Sequence, residues 1–296
     1  MSGAGNNNHS VKIVRRSSAF TLVELLVVIS ILGILAALTV PALKNLGKAN
    51  VQTSASRQLL DAVGRARQLA INDHTTVYMV FLSTNFWLNS SSPWLPLLNT
   101  AERTTLTNLM PMQLSGYNYI AYGALGDQPG RHQWHYLDEW QTLPQGYIIP
   151  SWKFTPLAPN QPFYFTDPVN GNGFTIYPFD QTNTIPVPLA DNNELSLIGN
   201  GSNPSLHYIA FNYLGQLVSS TLDRDVTGGG ADIPIAQGSV AYPLNVPTKN
   251  PLVPNTALGA SAIVENPVGN STNITYNVVH IDPLTGRATL VFHQVQ

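Results

Sequence analysis

The chain has 296 residues, of which 14 are Lys or Arg and 16 are Asp or Glu, so its formal net charge is -2. This balance, with no basic stripe after residue 70, argues against nucleic-acid binding, which relies on clustered cations facing the phosphates. The absence of cysteine excludes disulfides, thiolate metal sites and a cysteine nucleophile.

Residues 1–19 form a polar leader with three basic side chains and no acidic one, and residues 20–41 form an apolar run. At 1.5 Å per helical residue, the run is about 30 Å long, which is the thickness of a bilayer's hydrocarbon core. The pattern predicts a transmembrane helix over residues 20–41. Because the basic flank favours the cytoplasmic side, we expect a single-pass protein of a bacterial inner membrane whose remainder lies outside.

Two ordinary explanations of this run are a secretory signal peptide and a plain membrane anchor. A signal peptide has an apolar region of about 7–15 residues followed by a small-residue cleavage site, which is shorter than this run. A plain anchor does not explain Glu24, since a carboxylate costs roughly 2.5–3.5 kcal/mol at the centre of a spanning helix and still needs a partner near its end.

Residues 19–26 read AFTLVELL. This stretch, after a basic leader, resembles the start of type IV prepilins and type II secretion pseudopilins. The resemblance implies that a prepilin peptidase/methyltransferase cuts between Ala19 and Phe20 and methylates the new amino group of Phe20. The family's usual residue before the cut is Gly, and Ala19 stands there instead. Gly33 and Pro41 match positions where the family commonly has helix-loosening residues.

The resemblance also supplies a partner for Glu24. The amino group of the processed Phe20 has an ordinary pKa of about 7.7–8.0, so it is mostly cationic at neutral pH. Glu24 of one subunit can then pair with Phe20 of a neighbour in an apolar filament core. Such a buried pair disfavours every register that leaves either charge unpaired. The alternative is that Glu24 simply reaches the lipid headgroups.

An amphipathic stem helix is predicted over residues 42–73, continuing the apolar run into one helix that covers residues 20–71. Its expected core-facing stripe has spacings of three, four or seven. The stripe consists of Ala42, Leu46, Ala49, Thr53, Ser56, Leu60, Val63 and Ala70.

The head, residues 74–296, is predicted to be rich in β-structure, with one short helix at residues 100–109. Turn signals occur at residues 212–215 and 282–286. Residues 83–205 are interpreted as a large insertion, and residues 221–273 as long loops. The predicted strands cover residues 75–82, 117–122, 147–149, 174–177, 206–211, 216–219, 274–282 and 288–295.

Three short stretches of the head resemble GspH-type minor pseudopilins: LPQG at residues 143–146, IAFNYLG at 209–215 and PLTGR at 283–287. The resemblance implies a pilin-like α+β fold, in which a long N-terminal helix, half transmembrane and half amphipathic stem, packs on an antiparallel sheet.

Candidate metal ligands occur in two places. His132 and His135 lie in RHQWHYLDEW with Asp138 and Glu139, and a helix would bring their side chains to one face. Asp167 begins DPVNGNG, whose oxygen-bearing side chains suit calcium but miss the EF-hand spacing. An exposed turn is the favoured explanation of each stretch, and no catalytic motif is present in the sequence. We therefore expect neither an enzyme nor a cofactor.

The sequence thus favours a structural subunit, of pilin or minor pseudopilin type, whose partners are the prepilin peptidase, other pilin-type subunits and the inner membrane. One alternative is a membrane-anchored binding module that uses the pilin-type segment only for export, with an exposed aromatic groove as its expected sign. Another is an anchored metalloenzyme, which would require His132 and His135 to converge with a carboxylate.

Overall fold

The computed structural model describes residues 21–86, 99–123, 134–154, 163–166, 173–179, 206–218, 230–245, 247–248, 250–252, 260–272 and 277–292. The chain divides into two compact units, Met1–Ala49 and Asn50–Gln296. The fold is α+β, with a helix packed on antiparallel sheets, as the sequence predicts.

Two α-helices, twelve strands and two short 3-10 helices, Met110–Met112 and Ser151–Lys153, make up the regular structure of the described residues. The α-helices are α1 (Leu22–Asn72) and α2 (Thr100–Leu109). The strands are β1 (Val77–Phe81), β2 (Gly116–Tyr122), β3 (Trp134–Tyr136), β4 (Gln141–Thr142), β5 (Tyr147–Ile148), β6 (Phe163–Thr166), β7 (Gly173–Ile176), β8 (His207–Phe211), β9 (Ala231–Ala241), β10 (Ala262–Glu265), β11 (Asn277–Ile281) and β12 (Ala288–Phe292).

The first sheet has the order β3-β2-β1-β8, and β4 pairs with the start of β2. The central strand β1 pairs antiparallel with both neighbours, so that Met79 lies between Tyr119 of β2 and Ile209 of β8. Alternate residues of β1 face opposite sides of the sheet, as the twofold side-chain period of a strand requires.

The second sheet has the order β10-β9-β11-β12, with β5 also paired to β9. Strand β9 is long enough to pair with β11 through its first half and with β5 and β10 through its second half. A third, two-stranded sheet consists of β6 and β7.

The main hydrophobic core lies between the last part of α1 and one face of each of the two larger sheets. We call residues 51–72 of α1 the stem segment. Its buried residues are Ala55, Ser56, Leu59, Ala62, Val63, Ala66 and Ala70. Their spacing of one, three or four residues places them on one side of the helix.

The predicted stripe of the stem segment is confirmed at Ser56, Val63 and Ala70, but it is wrong at Thr53, which is exposed. Most of the side chains that face the sheets are alanines, whose small size allows helix and sheet to approach closely. Alanine carries little hydrophobic signal, so the sequence pattern places the stripe partly off the buried face. The predicted positions Ala42, Leu46 and Ala49 lie outside the described side chains.

Helix α2 covers the other face of the first sheet. Leu106 and Leu109 pack there against Val80 and Ile120. At the N-terminus of α2, the Asn99 side chain accepts from the backbone of Glu102, and the Glu102 side chain accepts from the backbone of Asn99, which forms a capping box. The predicted helix at residues 100–109 is confirmed.

The described strands agree with most of the strand predictions, although several are shorter by one to three residues than the described part of the predicted range. The predicted strand at residues 216–219 is wrong for its described part, where Leu217 forms only an isolated bridge to Phe211. Residues 83–205, predicted as an insertion, contribute α2 and the sheet-forming strands β2 and β5.

The prediction of long loops across residues 221–273 is wrong, because β9 and β10 lie there. Pro234 and Gly238 make β9 a poor match to strand propensities. Pro234 lies in the half of β9 that pairs with β11, whereas β5 and β10 pair only from Ala236 onward. A proline that lacks the N–H donor is tolerated where only one side of a strand is paired.

The two predicted turns are confirmed, and they pack against each other. The Asp282 carboxylate accepts from the backbone N–H of Leu284 and Thr285, and the backbone N–H of Leu217 donates to Pro283. Gly286 has a positive φ of 62°, and an added Cβ would lie 1.9 Å from the carbonyl oxygen of Gly215. Only glycine therefore fits this turn.

Candidate functional site

The start of α1 is closed by a hydrogen-bonded pair, Thr21 and Glu24. The backbone N–H and the hydroxyl of Thr21 donate to Oε2 of Glu24 at 2.9 and 3.0 Å, and the backbone N–H of Glu24 donates to Oγ1 of Thr21 at 3.2 Å. This reciprocal arrangement is a capping box, which satisfies backbone donors that have no partner within the helix.

The capping box gives Glu24 a structural role within its own helix, in addition to the predicted charge pairing with a neighbour's Phe20. The sequence signal for it is the T-x-x-E spacing from Thr21 to Glu24, directly before an apolar run. Both hydrogen bonds that Glu24 receives end on Oε2, and within the described ranges no hydrogen bond reaches Oε1. One carboxylate oxygen therefore holds the helix start, and the other accepts no hydrogen bond from the described residues.

Residues 22–35 of α1, which we call the apolar segment, are exposed without exception. They include eleven large apolar side chains, with exposures from 46% at Val28 to 80% at Leu22. The hydroxyl of Ser30 donates to the carbonyl of Leu26 at 2.8 Å, so this polar group is satisfied within the helix. A helix that is apolar all round requires an apolar environment or other apolar helices around it.

The other predicted residues of the N-terminal site are only partly described. Ala19 and Phe20 lie outside the described residues. Gly33 and Pro41 fall within the helical bounds of α1, and an added Cβ at Gly33 would meet nothing within 4 Å. Their helix-loosening role stays a prediction.

A membrane-spanning segment is predicted at residues 20–41. Within the part of the chain that the structure describes, no helix is both long enough and apolar enough to cross a membrane. Of that segment, the described side chains are those of residues 21–35 and 37.

The candidate metal ligands that the structure describes, His135, Asp138 and Glu139, do not form a metal-binding group. His135 lies in the strand β3 rather than on a helix, so no helix places it on one face with Asp138 and Glu139. His132 and Asp167 lie outside the described residues. Among the residues that are described, no group of three or more His, Asp or Glu side chains is placed to hold a metal ion.

A cleft of about 660 Å³ lies between the stem segment and the edge of the first sheet. Its lining includes Gln58, Tyr117 and Gln141, which form a hydrogen-bonded floor. Gln58 donates to the Tyr117 hydroxyl at 3.0 Å, and this hydroxyl donates to Oε1 of Gln141 at 3.1 Å. The other lining residues are Thr53, Ser54, Arg57, Asp61, Ala62, Arg65 and Tyr119.

One wall of the cleft is fixed by Tyr119 and Arg65. The Tyr119 hydroxyl donates to the carbonyl of Ala62 at 3.1 Å, and burial raises the pKa of this hydroxyl above its ordinary value. Arg65 forms an ion pair of 2.8 Å with Asp138 and lies 5.9 Å from the Tyr119 ring centre. The cleft is thus a rigid, polar surface, which no motif in the sequence indicates.

Comparison with known proteins finds a family match at the N-terminal segment. Residues 14–40 match the family described as the prokaryotic N-terminal methylation motif. The match supports the resemblance to type IV pilin-like proteins for this segment, and it implies processing by a prepilin peptidase and assembly with other pilins. No curated protein and no solved structure matches the chain. The resemblance of the head to GspH-type minor pseudopilins stays a prediction.

Proposed function

We propose that the protein is a structural subunit of a pilin-type filament, cut between Ala19 and Phe20 by a prepilin peptidase and methylated on Phe20. The observation that carries this proposal is the methylation motif at residues 14–40, which includes the exposed apolar segment. A surface of this kind needs cover from lipid before assembly and from neighbouring helices afterwards.

The capping box suggests how assembly selects its register. Oε2 of Glu24 is held by Thr21, and Oε1 is left to receive the ammonium group of a neighbour's Phe20. In an apolar surrounding an unpaired charge is costly, so only the arrangement that pairs both groups is favoured. Thr21 acts here as a positioning residue, since it orients the carboxylate without contacting the incoming subunit.

The basic leader places the N-terminus on the cytoplasmic side, and the apolar segment anchors the subunit in the bacterial inner membrane before assembly. The head then lies in the periplasm or outside the cell. We further propose a minor pseudopilin of the GspH type, because the head is large for a repeating shaft and carries the three short stretches at residues 143–146, 209–215 and 283–287. The role is structural rather than catalytic.

The N-terminal mass and sequence of the mature protein from membranes test this proposal, in cells with and without a prepilin peptidase. We expect a chain that begins at a methylated Phe20 only when the peptidase is present. A leader retained in both strains would instead favour the membrane-anchored binding module. A cut after Ala36 or Ala37 would mean ordinary secretion and would overturn the filament role.

A pair of variants separates processing from assembly. We expect Glu24→Gln, which keeps the shape of the side chain and removes its charge, to be cut normally and to be lost from sheared filaments. Ser30→Ala, in the same segment, is the matched control and should assemble like the parent. Normal assembly of Glu24→Gln would contradict the charge-pairing step.

A further inference from the structure

The floor of the cleft keeps hydrogen-bonding groups that the chain itself does not use. Gln58 donates both N–H groups of its carboxamide, one to the Tyr117 hydroxyl and one to the carbonyl of Thr142 at 2.7 Å. Over the described ranges, Oε1 of Gln58 accepts no hydrogen bond. Gln141 accepts from the Tyr117 hydroxyl and donates one N–H to Asp138 at 3.1 Å, so its second N–H remains. The floor therefore offers one acceptor and one donor.

Two charged side chains of the stem segment add to these groups. Arg57 and Asp61 are exposed, lie about one helical turn apart and both line the cleft. Among the residues that the structure describes, neither makes a hydrogen bond or an ion pair through its side chain. Because an acidic residue four positions after a basic one is the less favourable order in a helix, their mutual attraction is small, and both can contact a ligand.

The charges of the lining cancel. Arg65 is paired with Asp138 at 2.8 Å, and the remaining guanidinium of Arg57 is matched by the carboxylate of Asp61. A phosphate group or an acidic peptide would meet this carboxylate in the same cleft as the one unpaired cation. The balance therefore favours a ligand without net charge.

The lining offers little apolar surface. The rings of Tyr117 and Tyr119 are 1% and 0% exposed, and Ala62 is 5% exposed. A bound peptide gains its specificity from pockets that receive its side chains, and an apolar ligand needs apolar walls. Neither is present among the lining residues, so a ligand would be held by hydrogen bonds.

We propose that the cleft binds a neutral saccharide through its ring hydroxyls. Each hydroxyl both donates and accepts, so neighbouring hydroxyls match a lining in which Gln141 and Arg57 donate while Gln58 and Asp61 accept. The guanidinium fork can donate to two hydroxyl oxygens, and the carboxylate can accept from two hydroxyls. The volume of about 660 Å³ lies in the ordinary range of small-molecule sites, about 300–1,000 Å³.

The floor is held in place before a ligand enters. The hydrogen bonds of Gln58, Tyr117 and Gln141 join α1, β2 and β4, and the Tyr119 hydroxyl ties β2 to Ala62. Side chains that are already fixed lose little conformational entropy on binding. This binding role goes beyond the proposed function and does not depend on it, because the lining lies outside residues 14–40.

Saturation-transfer difference NMR on the full-length chain, in a detergent without a sugar headgroup, tests the proposal. The probes are glucose, galactose, N-acetylglucosamine and their disaccharides, with triglycine and inorganic phosphate for comparison. We expect at least one saccharide to bind with a dissociation constant of about 1 mM, and neither comparison probe to bind. Binding of triglycine or phosphate without any saccharide would overturn the proposal.

Variants of the two charged residues assign the binding to the cleft. Asp61→Asn and Arg57→Gln each remove a charge at an exposed position, and we expect each to lower the affinity for the saccharide about tenfold, because hydrogen bonds to charged groups are the stronger ones. Glu139→Gln, the same kind of change at an exposed residue outside the lining, is the matched control and should bind like the parent. Thermal unfolding checks that each variant folds.

The remaining outcomes separate this inference from the proposed function. Equal saccharide affinity in the parent, Asp61→Asn and Arg57→Gln would place the binding elsewhere and overturn the assignment. If no saccharide binds while Asp61→Asn is lost from sheared filaments, the cleft is a contact between subunits and the saccharide proposal fails. An unprocessed N-terminus would count against the proposed function and leave a saccharide result standing.

Discussion

The apolar segment and the stem segment belong to one helix, yet apolar side chains are exposed in the first and buried in the second. In the apolar segment every side chain is exposed, although only Glu24, Ser30 and Gly33 interrupt the large apolar residues. In the stem segment, alanines and a few larger residues are completely buried against the sheets. Burial thus follows the presence of a packing partner within the chain.

This difference indicates which surface must be covered by other molecules. The stem segment needs only a narrow stripe of small side chains, because two sheets of the same chain cover it. The apolar segment has no such cover among the described residues of its own unit, Met1–Ala49. Its exposed area is too continuous for a water-facing surface, so its stability depends on lipid or on neighbouring subunits.

The strongest test of this contrast compares a leucine from each segment. Leu59 is fully buried in the core, and Leu25 is 58% exposed. We expect Leu59→Ala to lower the free energy of unfolding of the head by about 2–5 kcal/mol, because it leaves a cavity. Leu25→Ala should leave this free energy unchanged within about 0.5 kcal/mol. Denaturant unfolding of the full chain in detergent measures both.

In an assembly assay, Leu25→Ala should have the larger effect of the two variants. In the proposed filament, Leu25→Ala removes apolar surface that faces neighbours, so we expect fewer sheared filaments, whereas Leu59→Ala affects them only through unfolded subunits. Equal loss of stability in the two variants would show that the apolar segment also packs within its own chain, and the contrast would fail.

Sequence reasoning predicts the well-patterned parts of this fold. The bounds of α1 and α2 and most strands follow from apolar periodicity and from turn residues such as Asn212 and Asp282. It misses β9 because Pro234 and Gly238 oppose strand propensity, and pairing with β11 at Pro234 and with β10 at Gly238 overrides them.

The two sites differ in how far sequence reveals them. The N-terminal site is local, so a short motif identifies it, including the T-x-x-E spacing of Thr21 and Glu24. The cleft combines α1 with β2 and β4, which are far apart in sequence, so no local pattern predicts that Arg65 meets Asp138. The alternation of Arg57, Asp61 and Arg65 is visible in the sequence, but only the structure shows that it is exposed.

A smaller effect is expected where the stem segment meets β2. Tyr119→Phe removes the hydroxyl that donates to Ala62 and keeps the ring, so the free energy of unfolding should fall by about 0.5–1.5 kcal/mol. Tyr213→Phe, at a 56% exposed position, is the matched control and should change nothing measurable. Equal stability of Tyr119→Phe and the parent would mean that this hydrogen bond does not hold the stem.

The same tyrosine predicts a response to alkaline pH. Burial raises the pKa of Tyr119 in the folded state, while the unfolded chain titrates near its ordinary value of about 10. The unfolded state therefore loses this proton at a lower pH than the folded state does. The contribution of Tyr119 to the free energy of unfolding is present below about pH 10 and is lost as the pH rises above that value. We expect Tyr119→Phe to flatten this decline in a series of unfolding curves measured between about pH 8 and 11, the range around that ordinary pKa.

The smallest effect concerns one glycine in each segment. Gly64 and Gly33 are both helical, and an added Cβ meets nothing within 4 Å at either position. Because alanine restricts the unfolded chain more than glycine does, Gly64→Ala should raise the free energy of unfolding by about 0.5–1 kcal/mol. Gly33→Ala should leave the unfolding of the head unchanged, since the apolar segment is not part of its core. If both variants stabilised the head equally, the apolar segment and the stem segment would have to unfold as one cooperative unit. They would then differ only in what surrounds them.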